Sequence, residues 1–425
     1  MPEFLTLLPP DEARQKMLEH LASHAPTVAS VSLSVSSALG HVTAADVFAP
    51  HPLPDFQRTT VDGYAVRAKD TFGATDSLPA YLNLIGEVPM GDSPTFELIA
   101  GQCALIHTGG MLPKGADAVV MIEYTQVARA VANSEQGEEK EIEIFKSVAD
   151  GENVIRIGED VAQNQLVIPK GTKIRPAEIG GLMALGITSV DVAKQPRVGL
   201  ISTGDEVIDP SQAPRPGQVR DINSYTLGAL IEKSGGVAIR YGIFGDNFQI
   251  LKEAAAKALS ECDAVIITAG SSASTRDMTA EVIRQLGEPG VLVHGINTRP
   301  GKPTILGVCD GKAVIGLPGN PVSALVNGYL FVVPVIEKLL GALPKPKATV
   351  QAKLTVNLPS QAGREDWWPV KLTHDFQQSV VHYQAEPIFG KSNLIFTLAA
   401  ADGLLKIHAD ATGLSAGEIV EVELV

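Results

Sequence analysis

The chain has 425 residues, 45% hydrophobic and 19% charged, with a formal net charge of −14 at pH 7. That length allows about three domains, the apolar content is ample for real cores, and the acidic balance argues against a nucleic-acid surface. The apolar runs are interrupted before spanning length, the N-terminus lacks a basic leader pattern, and Cys103, Cys262 and Cys309 are too far apart for metal-ligand spacing. These features predict a cytoplasmic protein with buried, reduced thiols.

Asp11 to His24 carries helical spacing in Ala13, Met17, Leu18 and Leu21, after Pro9-Pro10. Val31 to Val35 alternates apolar residues with serine. From Pro52 to about Phe145 the chain turns to short β-type runs punctuated by Gly and Pro, among them Tyr81 to Ile85, Cys103 to Ile106, Ala118 to Ile122 and Ile142 to Phe145. Ser134 to Glu141 reads as a solvated loop between two strands. Residues 148 to 193 return to the style of the first region, with a helix predicted over Pro176 to Ala184.

From Arg197 strands and helices alternate. Strands are expected at Val198 to Ser202, Val237 to Ile243, Ala264 to Thr268, Val291 to Ile296, Thr304 to Val308 and Ala313 to Leu317. Helices are expected at Ser224 to Lys233, Asn247 to Glu261, Asp277 to Leu286 and Pro321 to Leu340, the last kinked near Pro334. Asp310-Gly311 marks a hairpin. This is an α/β domain, and after the stiff linker Leu343 to Lys347 a small all-β domain follows, with strands at Ala352 to Val356, Val370 to Leu372 and Glu418 to Val425.

Four loops after apolar runs carry the chemistry: Ser202-Thr203-Gly204-Asp205-Glu206, Ala269-Gly270-Ser271-Ser272, Arg299-Pro300-Gly301-Lys302-Pro303 and Leu317-Pro318-Gly319-Asn320-Pro321. In an open α/β sheet such loops lie beyond the strand carboxyl ends, where ligands bind. Free N–H groups and helix N-termini there suit a phosphorylated or oxyanionic small molecule. Arg299 and Lys302 add cationic charge. Asp205 and Glu206 make sense if Mg²⁺ bridges protein and phosphate. Asp221 is a helix cap or a further functional carboxylate. On the residues alone, Thr59 to Ala65 and His107 to Gly110 read as hairpin turns. No His-Glu-x-x-His and no Gly-x-Ser-x-Gly occur, so zinc and serine hydrolases fall away.

Together these motifs resemble the molybdopterin molybdenumtransferases of the MoeA type, whose eukaryotic counterpart is the E domain of gephyrin. The resemblance runs the length of the chain through Arg58-Thr59-Thr60-Val61-Asp62-Gly63-Tyr64-Ala65, His107-Thr108-Gly109-Gly110, Gly158-Glu159-Asp160, Ser202 to Glu206, Asp221-Ile222-Asn223, Arg299 to Pro303 and Gly316 to Ser323.

The resemblance implies four domains: a discontinuous N-terminal linker domain over 1–52 plus 148–193, and a β-rich inserted domain over 53–147. A three-layer α/β molybdopterin-binding domain over 194–342 and a C-terminal β-barrel over 348–425 complete it. It also implies a homodimer, a cleft shared between subunits, and insertion of molybdate into adenylyl-molybdopterin with release of AMP, assisted by Mg²⁺ or Zn²⁺. A molybdopterin adenylyltransferase is the implied partner, and neither membrane nor nucleic acid is expected. By position, Asp62, Thr108, Glu206, Asp221 and Asp277 are the implied catalytic residues, with Asp205 and Glu206 for the metal. Thr203, Gly204, Gly270, Ser271, Ser272, Arg299, Lys302, Pro318, Gly319, Asn320 and Pro321 are the implied substrate contacts, and Arg364 and Ser392 match a family molybdate site. The loop Ala269 to Met278 departs from the family's usual Gly-Gly-Val-Ser-Val-Gly, which bears on the choice of molybdate or tungstate. A non-catalytic molybdopterin-binding scaffold, a tungstate-selective homologue and a different nucleotide-pyrophosphate enzyme are the other readings.

Overall fold

The computed structural model describes residues 7–22, 29–133, 137–269, 273–374 and 383–425. They form two compact units. One comprises Met1–Ala45, Lys170–Arg175 and Ser189–Val425, and the other Asp46–Pro169 and Pro176–Thr188.

The first unit is built on a six-stranded sheet. Its order is Val237–Phe244, Arg197–Thr203, Ala264–Ala269, Lys312–Pro318, Ile305–Cys309, Pro289–His294. The first four strands run parallel, Ile305–Cys309 runs against them, and Pro289–His294 runs against Ile305–Cys309. Ala264–Ala269 is buried at every position, as a strand covered on both faces must be. The Asp310-Gly311 turn has φ of 49° and 80° at its two residues, the left-handed pair that a two-residue hairpin needs.

Helices cover both faces. Phe248–Glu261 and Ala273–Arg284 lie on one side, around Leu251, Ala255, Ile267 and Ile283. Asn223–Lys233 and the long segment Pro321–Leu340 lie on the other, around Leu227, Ile231, Val326 and Ile336. The long segment is the one described helix apolar and long enough to cross a membrane, and most of it is buried in this core. Its interruption falls where expected: Pro321–Asn327 passes into a π-turn, Gly328–Val332, before Val333–Leu340 resumes with Pro334 in its first turn. Proline supplies no N–H, so the preceding turn widens.

The N-terminal helix spans Pro10–Ala22 and joins this second face. Ala13, Met17 and Leu21, each about one turn apart, are buried against Val308 and Ile315. Its apolar stripe packs on the α/β sheet. The pair Ser30–Ser34 with Ser189–Ala193 belongs to the same unit.

The C-terminal region is a closed β-barrel. Glu365–His374 pairs with Tyr383–Pro387 on one side and Gly403–Ile407 on the other. Thr349–Leu354 and Ile419–Leu424 complete the ring. Closure removes exposed sheet edges. Two of its strands, Tyr383–Pro387 and Gly403–Ile407, are not legible as alternating runs.

The second unit carries another six-stranded sheet, ordered Ala118–Met121, Gly63–Val66, Gln102–Ile106, Ala80–Val88, Gly137–Ile144, Thr125–Asn133. Here the expected loop Ser134 to Glu141 is corrected. Residues 134–136 lie outside the described residues, but Gly137 to Glu141 pair with Arg129 to Asn133 as a strand. Lys140 to Ile144 pair with Ala80–Val88 as well, so this is an inner strand and Thr125–Asn133 is the outer one. The helix Pro176–Ala184 forms where its proline start predicts.

Candidate active site

The parallel sheet reverses direction at its first strand. From Arg197–Thr203 the chain passes to Val237–Phe244 on one side and then to Ala264–Ala269 on the other. This is a topological switch point, and ligands in such sheets bind beyond the carboxyl ends of these strands. Ser202 to Glu206 lies there.

Its backbone is tightly knit. Gly204 has φ of 134°, its N–H donates to the Phe244 carbonyl at 3.1 Å, and a Cβ at this position would lie 2.7 Å from Glu206 Oε2. Only glycine leaves the Glu206 carboxylate its place. The Thr203 hydroxyl is buried and donates to the Thr268 carbonyl at 3.1 Å, so it braces neighbouring strands. Asp205 is exposed, and its Oδ1 accepts the Asp246 N–H at 3.1 Å. Asp221 is buried, and its Oδ2 accepts the Ser202 and Ser224 hydroxyls, each at 2.7 Å, while Oδ1 takes the Ser224 N–H at 3.2 Å. It binds Ser224 in the first turn of the helix Asn223–Lys233 and ties that turn to Ser202 at the end of the strand Arg197–Thr203. Both of the alternatives for Asp221 share this geometry.

The turn Pro318 to Pro321 follows the strand Lys312–Pro318. On one side the Gly319 carbonyl accepts Asn223 Nδ2 at 2.8 Å. On the other, Asn320 Nδ2 donates to Ser392 Oγ at 3.0 Å, and the Val322 N–H donates to the Ser392 carbonyl at 3.0 Å. Asn320 occupies the cap position of the following helix without a side-chain cap bond; its Nδ2 donates to Ser392 instead. Pro321 has no N–H, and the next amide is taken, so the anion-binding expectation for this helix start rests on side chains.

Beside this turn opens a cavity of about 750 Å³. Six of the expected site residues line it: Arg299, Lys302, Pro318, Asn320, Arg364 and Ser392. Four cations, Arg299, Lys302, Arg364 and Lys391, face a single carboxylate, Asp366, among the described residues lining it. Asp366 is 1% exposed. Arg364 reaches it in bidentate fashion, Nε at 2.7 Å from Oδ1 and Nη2 at 3.2 Å from Oδ2. Arg299 Nη1 lies 3.7 Å from Oδ2 and its guanidinium sits 5.7 Å from the Trp368 ring centre. One buried anion thus orients two guanidinium groups and leaves net positive charge for a ligand.

Backbone pairing explains the meeting. Thr298–Arg299 adds to the barrel sheet in parallel with Glu365–Asp366, setting Arg299 opposite Asp366. Asp366, Trp368 and Lys391 were not singled out from the sequence. The only two tryptophans stand side by side directly after Arg364-Glu365-Asp366, a signal that could have drawn attention.

In the second unit, Asp62 Oδ1 accepts the Thr108 N–H at 2.8 Å. His107 lies between carboxylates, Nδ1 at 3.8 Å from Asp62 Oδ1 and Nε2 at 3.0 Å from Glu87 Oε1. Asp62 and Thr108 are both exposed. Asp277 is exposed on the helix Ala273–Arg284. Gly270, Ser271 and Ser272 lie outside the described residues.

Matches to three family models tile the chain: the MoeA N-terminal region, domains I and II, over residues 8–186; a probable molybdopterin binding domain over 199–338; and the MoeA C-terminal region, domain IV, over 351–425. The chain belongs to the MoeA family. The molybdopterin molybdenumtransferase of Haemophilus influenzae is 32% identical over 414 residues, covering 97% of each chain. Molybdopterin molybdenumtransferase 2 of Mycobacterium tuberculosis is 31% identical over 401 residues, 92% of this chain and 94% of the relative. Among solved structures, a molybdopterin biosynthesis MoeA protein of Pyrococcus horikoshii matches at 33% identity with a TM-score of 0.83, over 99% of this chain and 100% of that one. A second structure of a MoeA protein from that genus and species matches at 37% identity and a TM-score of 0.77, covering 99% of each. The MoeA family acts in molybdenum cofactor biosynthesis, and the three-layer α/β domain with a closed C-terminal barrel is its architecture.

Proposed function

We propose that this chain is a molybdopterin molybdenumtransferase that inserts molybdate into adenylyl-molybdopterin and releases AMP. The observation that carries the proposal is the cavity in which Asp366 orients Arg299 and Arg364 beside Lys302 and Lys391. A tetrahedral dianion needs several preorganised donors and net positive charge, and this set supplies both. Ser392 and Asn320, joined at 3.0 Å, add a hydroxyl and an amide on the wall nearest the switch-point crevice. The adenylyl phosphate is proposed to lie along that crevice, between Thr203 to Glu206 and Pro318 to Pro321.

Magnesium fits this site as an ion brought on substrate phosphate. Among the described residues no three His, Cys, Asp or Glu side chains cluster as a metal set, and the Asp221 oxygens are already engaged by Ser202 and Ser224. Mg²⁺ commonly takes one or two carboxylates plus substrate oxygens, and Asp205 and Glu206 would hold it there, where it would neutralise charge on the departing phosphate. Zn²⁺ prefers His and Cys donors and is the weaker fit. Asp62, held by the Thr108 amide, and Asp277 are proposed catalytic carboxylates, with the site completed in a homodimer. Cytoplasmic location and direct delivery of substrate by a molybdopterin adenylyltransferase belong to the same proposal.

The test is AMP release and molybdenum incorporation when the full-length protein meets adenylyl-molybdopterin, Mg²⁺ and molybdate, with tungstate in parallel. Molybdate-dependent AMP release supports the reading. Pterin binding without turnover on either oxyanion overturns it.

A further inference from the structure

Asn327 closes the helix Pro321–Asn327 and is fully buried. Val322, Val326 and Leu330 around it are apolar members of the core, and an apolar side chain would avoid the cost of burying an amide here. Its Nδ2 donates to two carbonyl oxygens, Ser323 at 2.8 Å and Pro300 at 3.1 Å. Two acceptors fix the amide orientation, since the flipped oxygen would face both. Its Oδ1 has no hydrogen-bond partner in the protein.

The bond to Ser323 is local, one turn back. The bond to Pro300 spans 27 positions and ends between the cations Arg299 and Lys302. Gly301 lies directly on the amide: a Cβ there would be 1.7 Å from Asn327 Nδ2, and its φ is 111°. The Gly301 carbonyl is itself held by the Thr304 hydroxyl at 2.8 Å. Directly after Asn327 the helix opens into the π-turn Gly328–Val332, a distortion that recurs at functional sites.

We infer that Asn327 is a positioning residue for oxyanion recognition, pinning the Arg299 to Pro303 loop to the helix so that Arg299 and Lys302 face the cavity in fixed register. The inference rests on the oxyanion reading of that cavity. Asn327 does not line the cavity; it acts through the loop backbone.

Molybdate titration of the full-length protein, followed by tryptophan fluorescence and by equilibrium dialysis, tests this. Both tryptophans, Trp367 and Trp368, line the cavity. Asn327→Thr keeps a hydroxyl able to bond the carbonyl one turn back but loses the reach to Pro300. Asn327→Leu keeps the volume and removes both bonds. We expect folded Asn327→Thr to raise the molybdate Kd and KM about tenfold or more, with kcat nearly unchanged, the signature of lost ground-state binding. Should Asn327→Leu fail to fold, Asn327→Thr decides. A wild-type Kd in folded Asn327→Thr, or a fall in kcat alone, overturns the inference. Absence of molybdate binding in the unsubstituted protein overturns the cavity reading and this inference with it.

Discussion

The carboxylate of Asp62 accepts the backbone N–H of Thr108 at 2.8 Å, joining two turns 46 positions apart. The bond belongs to paired strands: Gly63 stands opposite Ile106, so the turns before and after them meet. One carboxylate oxygen is fixed while the side chain stays 60% exposed, a preorganised anion at a surface. Replacing Asp62 by Asn keeps an acceptor for Thr108 and removes the charge. We expect Asp62→Asn to lower kcat for AMP release by about 10²-fold or more, while urea unfolding stays within about 0.5 kcal/mol. Unchanged turnover would sink the catalytic role.

Asp366 is the anion on which the cavity depends. Asp366→Asn leaves Arg364 and Arg299 without their shared carboxylate and removes a buried charge partner. Arg364 keeps 26% and Arg299 57% of the side chain in solvent, so losing the charge-assisted bonds should cost about 1.5 kcal/mol, measurable by denaturant unfolding. The released guanidinium groups lose their fixed geometry, so the molybdate KM should rise as well. Arg364→Ala should do more harm to stability than Arg299→Ala, because Arg364 makes the bidentate bond at 2.7 and 3.2 Å while Arg299 lies at 3.7 Å and is 57% exposed.

Asp221 separates a structural from a catalytic contribution. Its carboxylate takes three hydrogen bonds from Ser202 and Ser224. Asp221→Ala leaves those donors unpaired in a buried site and should cost about 2 kcal/mol or more. Asp221→Asn retains an acceptor for the Ser224 N–H and should be milder. If Asp221→Asn keeps stability but loses turnover, the charge itself acts in the reaction. Parallel loss of both marks a structural residue only.

The thiols offer a check on the core. Cys103, Cys262 and Cys309 are free and buried, and burial pushes the Cys103 and Cys309 thiols up to about 12 from 9.0. Native protein at pH 8 should react with no thiol reagent equivalents, and denatured protein with three. The unfolded chain gives up these protons above pH 9, whereas the folded chain keeps them until about pH 12. Stability is therefore retained below pH 9 and falls as pH rises from 9 to 12. A flat unfolding free energy across that window would contradict the burial.

Much of the α/β domain was legible because its signals are local. The apolar run Ala264 to Thr268 can be stable only when covered on both faces, and Asp310-Gly311 supplies the positive φ pair of a tight hairpin. The barrel was less legible. Tyr383–Pro387 and Gly403–Ile407 are short, and their pairing with Glu365–His374 depends on partners far away in the chain. Of the candidate site, the loops after the strands were readable as anion-seeking turns. Asp62 and Thr108 read as ordinary turns until resemblance singled them out.

By itself, the sequence determined which segments end in glycine- and hydroxyl-rich turns, where cationic charge sits at Arg299 and Lys302, and that a carboxylate at Asp221 precedes a helix. Those are properties of residue type and near-neighbour spacing. Only the tertiary structure decided that Arg299 would share Asp366 with Arg364, that Asn320 would reach Ser392, and that Asn327 would lie beneath Gly301. Each of these joins chain segments through sheet register or helix packing, and register is set by the summed burial of whole faces, which no single motif encodes.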